Sequence, residues 1–155
     1  MAKGVKVQVQ EAIRDTLRDN LSSYLTSVSK RVRPNYVFKP VIPEAKMCPV
    51  IMIYDDGATH NDYSGWVRRR LTYRIFVVVC GRDEQAAAQS SMEYVDAIRG
   101  CLEEKYTLGG VVETSEITGE EPTGDPVDTE VGGIMQAGGI TIEVAVGHAR
   151  GAVTL

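Results

Sequence analysis

WVRRRLTYRIFVVVC, residues Trp66 to Cys80, is the longest strand-forming run in the chain, and it alternates cleanly. Val67, Leu71, Tyr73, Ile75, Val77 and Val79 share one parity. Trp66, Arg68, Arg70, Thr72 and Arg74 share the other, with Phe76, Val78 and Cys80 at its far end. Successive side chains of a strand point to opposite faces. The run therefore predicts one apolar face against a core, and an opposite face that begins basic and ends covered. Its apolar end predicts a central place in a sheet. Its arginine end predicts a hairpin arm, around residues 55–70, that reaches beyond the domain body.

Immediately upstream, PVIMIY (Pro49 to Tyr54) suits a short buried strand. Between the two strands, Asp55 to Gly65 is rich in turn formers, which predicts a hairpin with a partly extended loop. Further back, Pro34, Pro40, Pro43 and Pro49 exclude helix, leaving room for a short edge strand at Asn35 to Phe38. Val9, Ala12, Ile13, Leu17, Leu21, Tyr24, Leu25 and Val28 recur at spacings of three and four, predicting an amphipathic helix from about Val7 to about Lys30. On its polar side Glu11–Arg14 and Asp15–Arg18 are placed to pair.

Downstream, Asp83 is placed to cap a second helix, with Glu84 at its positive end. Ala87, Ala88, Ser91, Tyr94, Val95, Ile98, Cys101 and Leu102 form its apolar stripe, Gly100 predicts close packing, and Leu108-Gly109-Gly110 closes it. Strands follow at Gly110 to Thr118 and Gln136 to Gly147. Between them GEEPTGDPVDTEVGG, Gly119 to Gly133, has two prolines, four glycines and five acids, and reads as a mobile loop. The order predicts a single α+β domain over residues 1–155: an antiparallel or mixed four- to five-stranded sheet with two helices packed on one face.

With 155 residues, 43% hydrophobic and 25% charged, the chain has the length and composition of one soluble domain. No apolar run is long enough to predict a transmembrane helix, and the N-terminus lacks a signal-peptide core. Cys48, Cys80 and Cys101, odd in number and widely spaced, read as reduced, small and inert thiols. The net charge of −4 hides an asymmetry. Through Lys105 there are 16 basic against 13 acidic residues; from Tyr106 onward Arg150 faces eight acids. Such segregation favours ordered self-contact or a directed partner.

Reactive chemistry is sparse. Asp55, Asp56, His60 and Asp62 could converge on a cation, but they lack an EF-hand pattern and match what an exposed loop requires. His148, beside Arg150, reads as solvated tail. There is no phosphate-binding glycine pattern, no H-E-x-x-H and no G-x-S-x-G, so neither an enzyme nor a cofactor is expected. Arg68, Arg69 and Arg70 could grip phosphates, with Trp66 and Tyr73 stacking, as in a nucleic-acid-binding module. A more economical reading pairs Trp66, Arg68, Arg69, Arg70 and Arg74 of the arm with Glu120, Glu121, Asp125, Asp128 and Glu130 of the acidic loop. The pairing would be made within one subunit or across to the next, and these ten residues are the candidate subunit interface.

The order of elements, the central strand running into Gly81-Arg82-Asp83, the helix EYVDAIRGCL, then TLGG and the final strand ITIEVAV resemble the tail-terminator (tail-completion) proteins of long-tailed bacteriophages. The likeness lies mainly in Arg70 to Gly110 and Ala137 to Val146; the Asp55 to Gly65 and Gly119 to Gly133 loops have no counterpart in it. The resemblance implies a non-enzymatic virion protein, assembled in the host cytoplasm, that forms a ring (a hexamer) at the head-proximal end of the tail. Such a ring caps the tail tube, stops its polymerisation and meets the neck. Its partners would be copies of itself, the tail tube protein, a neck or head-completion protein and, in contractile tails, the sheath. DNA would pass through the lumen without specific binding. A head–tail adaptor or a tube subunit is the alternative within the same class.

Overall fold

Alternation along residues 66–80 produces the strand it predicts, and that strand is the middle of the sheet. The computed structural model describes residues 4–26, 33–40, 48–63, 66–121, 127–128 and 133–149. Its elements are helix α1 (Val5–Asn20), continued by a 3-10 turn (Leu21–Tyr24), strands β1 (Asn35–Val37), β2 (Val50–Tyr63) and β3 (Trp66–Gly81), helix α2 (Glu84–Glu104), and strands β4 (Thr114–Glu121), β5 (Val127–Asp128) and β6 (Ile134–Ala149). The fold is α+β, with a mixed sheet in the order β1-β2-β3-β6-β4. The two-residue β5 lies on the same side of β6 as β4, further along it. Only β1 is parallel to its neighbour; the other pairs are antiparallel.

Both helices cover one face. Leu71, Tyr73, Ile75, Val77 and Val79 of β3, Ile51 and Ile53 of β2, and Ile140, Ile142, Val144 and Val146 of β6 join Val9, Ile13 and Leu17 of α1 and Val95, Ile98 and Leu102 of α2 in one core. Burying a side chain of this size contributes roughly 1.5–3 kcal/mol, so this layer carries most of the folding energy. Polar bonds pin α1 over β2: Gln10 Nε2 donates to the carbonyls of Phe38 (3.2 Å) and Ile53 (2.7 Å), and the Tyr73 hydroxyl donates to the Lys6 carbonyl (2.8 Å). Asp83 caps α2 as expected, its carboxylate accepting from Ala86 N–H at 2.8 Å. The predicted stripe is buried except that Ala97 takes the place given to Ala88. Gly100 lies under the Tyr24 ring, where an added Cβ would stand 3.4 Å from it.

Four expectations need correction. The first α-helix ends at Asn20, where the Asn20 side chain bonds back to the Thr16 carbonyl, and the chain tightens to 3-10 through Ser22 and Ser23. The segment from Asp55, expected as a partly extended hairpin loop, is strand throughout as far as Tyr63, because β3 is paired along its whole length and gives β2 a ladder to follow. The strand expected from Gly110 starts at Thr114. Leu108, Gly109 and Gly110 all take positive φ, and the turn they wind holds the Val112 N–H on the Thr107 carbonyl. Gly119, Glu120 and Glu121 are strand, paired with Thr141, Ile140 and Gly139. Of the remainder of the expected acidic loop, β5 and Gly133 are described; Asp125 and Glu130 lie outside the described residues.

Candidate interaction face

The face of the sheet turned away from the helices has two unlike halves, and alternation along β3 creates both. Arg68, Arg70, Thr72 and Arg74 occupy one end, Phe76, Val78 and Cys80 the other. The neighbouring strands match them. At the polar end Thr72 stands opposite Glu143 and Arg74 opposite Thr141. At the apolar end Val50, Met52 and Val78 form a second cluster, against which Val37, Cys48, Tyr54, Phe76, Met135 and Ala137 pack half-buried. Tyr54 and Phe76 stack with ring centroids 6.1 Å apart. Phe76 also lies flush on Gly139: a Cβ there would come within 2.7 Å of both the Phe76 ring and the Ile75 carbonyl oxygen.

The polar half is an ion-pair lattice within one chain. Arg70 Nη1 meets Glu143 Oε1 at 3.0 Å, Arg68 Nη2 meets Glu113 Oε2 at 3.6 Å, and Arg74 bridges Asp56 (3.2 Å) and Glu121 (3.9 Å). All are substantially exposed, so each pair by itself contributes little. Bulges in β2 and β4 lie beside two of these carboxylates, Asp56 and Glu121. In β2 the register slips by one residue between Asp55 and Ala58, with Gly57 at φ 113°. Asp55 then reaches Lys6 of α1 (2.9 Å) while Asp56 turns to Arg74 on the bare face. The Lys6 ammonium beside it lowers the Asp55 pKa below the usual carboxylate range, with help from the Gly57 N–H and Arg69. In β4 the slip falls between Ile117 and Gly119. It sends Glu120 to the helix side, where Arg99 of α2 meets it at 2.9 Å, and Glu121 to the bare face.

The predicted interface residues are thus only partly brought together. Arg68, Arg70 and Arg74 share the bare face; Arg69, one step out of phase, has the parity of Leu71 and Tyr73 on the helix side. Of the acidic partners expected, Glu121 pairs with Arg74 of the β3 arm, and among the described side chains it is the one that does so. Glu113 and Glu143, which sequence reasoning did not single out, take the other two. Glu143 alternates with Ile142 and Val144 in β6, and that parity was the one available signal. Trp66 opposes Ala149 and Tyr63 in the ladder, and Asp128 opposes Ile134. The proposed cation ligands Asp55 and Asp56 diverge to different faces and different cations. Among the described residues no three His, Cys, Asp or Glu side chains gather to hold a metal. None of the helices described is long and apolar enough to cross a membrane.

A cleft of about 650 Å3 opens beside the end of α1, between Leu17, Leu21, Leu25 and Tyr36. Burial there raises the Tyr36 hydroxyl well above its ordinary pKa, and Arg18 at the rim is engaged by Asp15 at 3.1 Å, the pair the sequence predicted. Compared with protein-family models and with curated proteins, the sequence matches none.

Proposed function

We propose that this chain is a structural assembly subunit that closes into a ring, and that the ring is a phage tail terminator capping a tail tube. The observation that carries this reading is the open sheet, clad by helices on one face and, among the described residues, bare on the other, with two unlike edges. Among the described residues no strand pairs along β2 beyond Met52 on its outer side, nor along the outer side of β4. An uncovered strand edge is a template for another chain. Two different edges on one subunit favour a head-to-tail contact, which generates a ring when the rotation closes. The bare face adds a second recognition element, half apolar and half charged, of the kind that fixes register between copies. Arg68, Arg70 and Arg74 already face carboxylates of their own chain, which lowers their draw on nucleic-acid phosphates and supports a lumen that lets DNA pass.

The reading assigns tube protein and a neck protein as partners above and below the ring, with a virion location at the head end of the tail. The native mass of the purified protein tests the assembly: a closed oligomer is expected at micromolar concentration, and a monomer at all concentrations refutes it. Electron microscopy with added tube protein tests the assignment. Rings that stop tube growth support the terminator, whereas filaments of the chain alone indicate a tube subunit. Charge reversal of Arg68 and Arg70 together is expected to weaken assembly most at low salt.

A further inference from the structure

The end of the β2–β3 ladder places two thiols side by side. Val50 is opposite Val78 in the register. Cys80 follows Val78 by two residues along β3 on the same face, and Cys48, two residues before β2 begins, packs against the same cluster as Val78. Their thiols are in hydrogen-bonding contact. A disulfide requires Cβ atoms about 3.5–4.5 Å apart, a spacing that thiols already in contact can reach by local adjustment. Cys80 is exposed and Cys48 half-buried, whereas Cys101 is buried among the helices beyond the sheet.

We propose that Cys48 and Cys80 are an oxidisable dithiol, a modification site that a low-molecular-weight disulfide such as oxidised glutathione converts to an intramolecular disulfide. Burial, with the Cys80 thiol alongside, pushes the Cys48 thiol up to about 12, so Cys48 stays protonated and the exposed Cys80 meets the oxidant first. The Cys80 thiolate attacks one sulfur of oxidised glutathione, forming a mixed disulfide and releasing one glutathione thiolate. Cys48 then gives its proton to solvent and attacks the Cys80 sulfur. The Cys48–Cys80 bond forms, the second glutathione leaves, and the two electrons lost by the protein thiols reside in two reduced glutathiones. The crosslink staples the start of β2 to the end of β3. This inference stands apart from the ring reading, since it concerns one chain in whatever assembly it occupies.

The test exposes the reduced full-length protein to oxidised glutathione and reads intact mass, followed by peptide mapping without reduction. The expected product lacks two hydrogen atoms, carries no glutathione and yields a Cys48–Cys80 linked peptide. Its melting temperature rises by roughly 5–10 °C, reversed by dithiothreitol. Cys48→Ser should stall at a glutathione adduct on Cys80. Cys80→Ser, at an exposed position, should remain unmodified even if Cys48→Ser folds poorly. A persistent adduct on the unmutated protein, a link to Cys101, a link between chains, or no reaction would each overturn the proposal.

Discussion

The two faces of β3 are one residue apart in sequence and differ in almost every physical respect. On the helix side Leu71, Ile75 and Val77 are fully buried and the layer is continuous from α1 to α2. On the bare side the same strand presents three arginines in ion pairs, then a half-buried aromatic and a small apolar cluster. The difference separates two demands. The helix side carries folding stability, because its gain comes from area removed from water. The bare side contributes less to folding and keeps exposed the groups that another surface could use.

The sharpest break of that contrast is truncation of neighbours across the strand. Ile75→Ala should cost about 2–5 kcal/mol, read as a lower urea midpoint with unchanged slope. Phe76→Ala, half-exposed on the other face, should cost roughly half as much. Equal losses would mean that both faces are cores. Gly139→Ala is next, at about 1–3 kcal/mol, because the new Cβ would press on the Ile75 carbonyl as well as the Phe76 ring. Adding Phe76→Ala should relieve only part of that cost; full relief would show the ring alone to be the obstacle. Ser91 sharpens the comparison from the helix side. It is fully buried on α2 with no hydrogen-bond partner for its hydroxyl among the described residues, so Ser91→Ala should gain up to about 1 kcal/mol in the same assay.

The smallest effect is electrostatic. The pKa of Asp55 is depressed in the folded protein, chiefly by Lys6. Its contribution is therefore present above the unfolded carboxylate value of about 4 and lost as pH falls through the lower folded value. Asp55→Asn should flatten the acid limb of a melting-temperature profile slightly and leave the neutral region nearly unchanged. A steeper acid limb would contradict the assignment.

The central strand and the second helix were legible because each follows one rule without interruption: period two through Val79, and a capping Asp83 before a stripe of period 3.6. The edge strands were not. Asp55, Asp56 and Gly57 are what a loop would contain, and only the ladder offered by β3 keeps them extended. Glu120 and Glu121 read as one acidic patch, yet alternation splits them between Arg99 and Arg74. The partners of Arg68 and Arg70 depended on which strands lie beside them, a long-range fact that no local pattern encodes.

The slip at Asp56 and Gly57 also has a genetic reading. From Ala58 outward every position of β2 is transposed relative to an uninterrupted count, so that Thr59 stands opposite Arg70 and Ala58 opposite Leu71. Removing one codon there would close the slip, giving an uninterrupted ladder that keeps Ala58 opposite Leu71 and Thr59 opposite Arg70 and leaves Ile51 and Ile53 seated as they are. What that arm displays thus depends on where a residue is lost: the slip can absorb one deletion, whereas a deletion further out would exchange the sides beyond it.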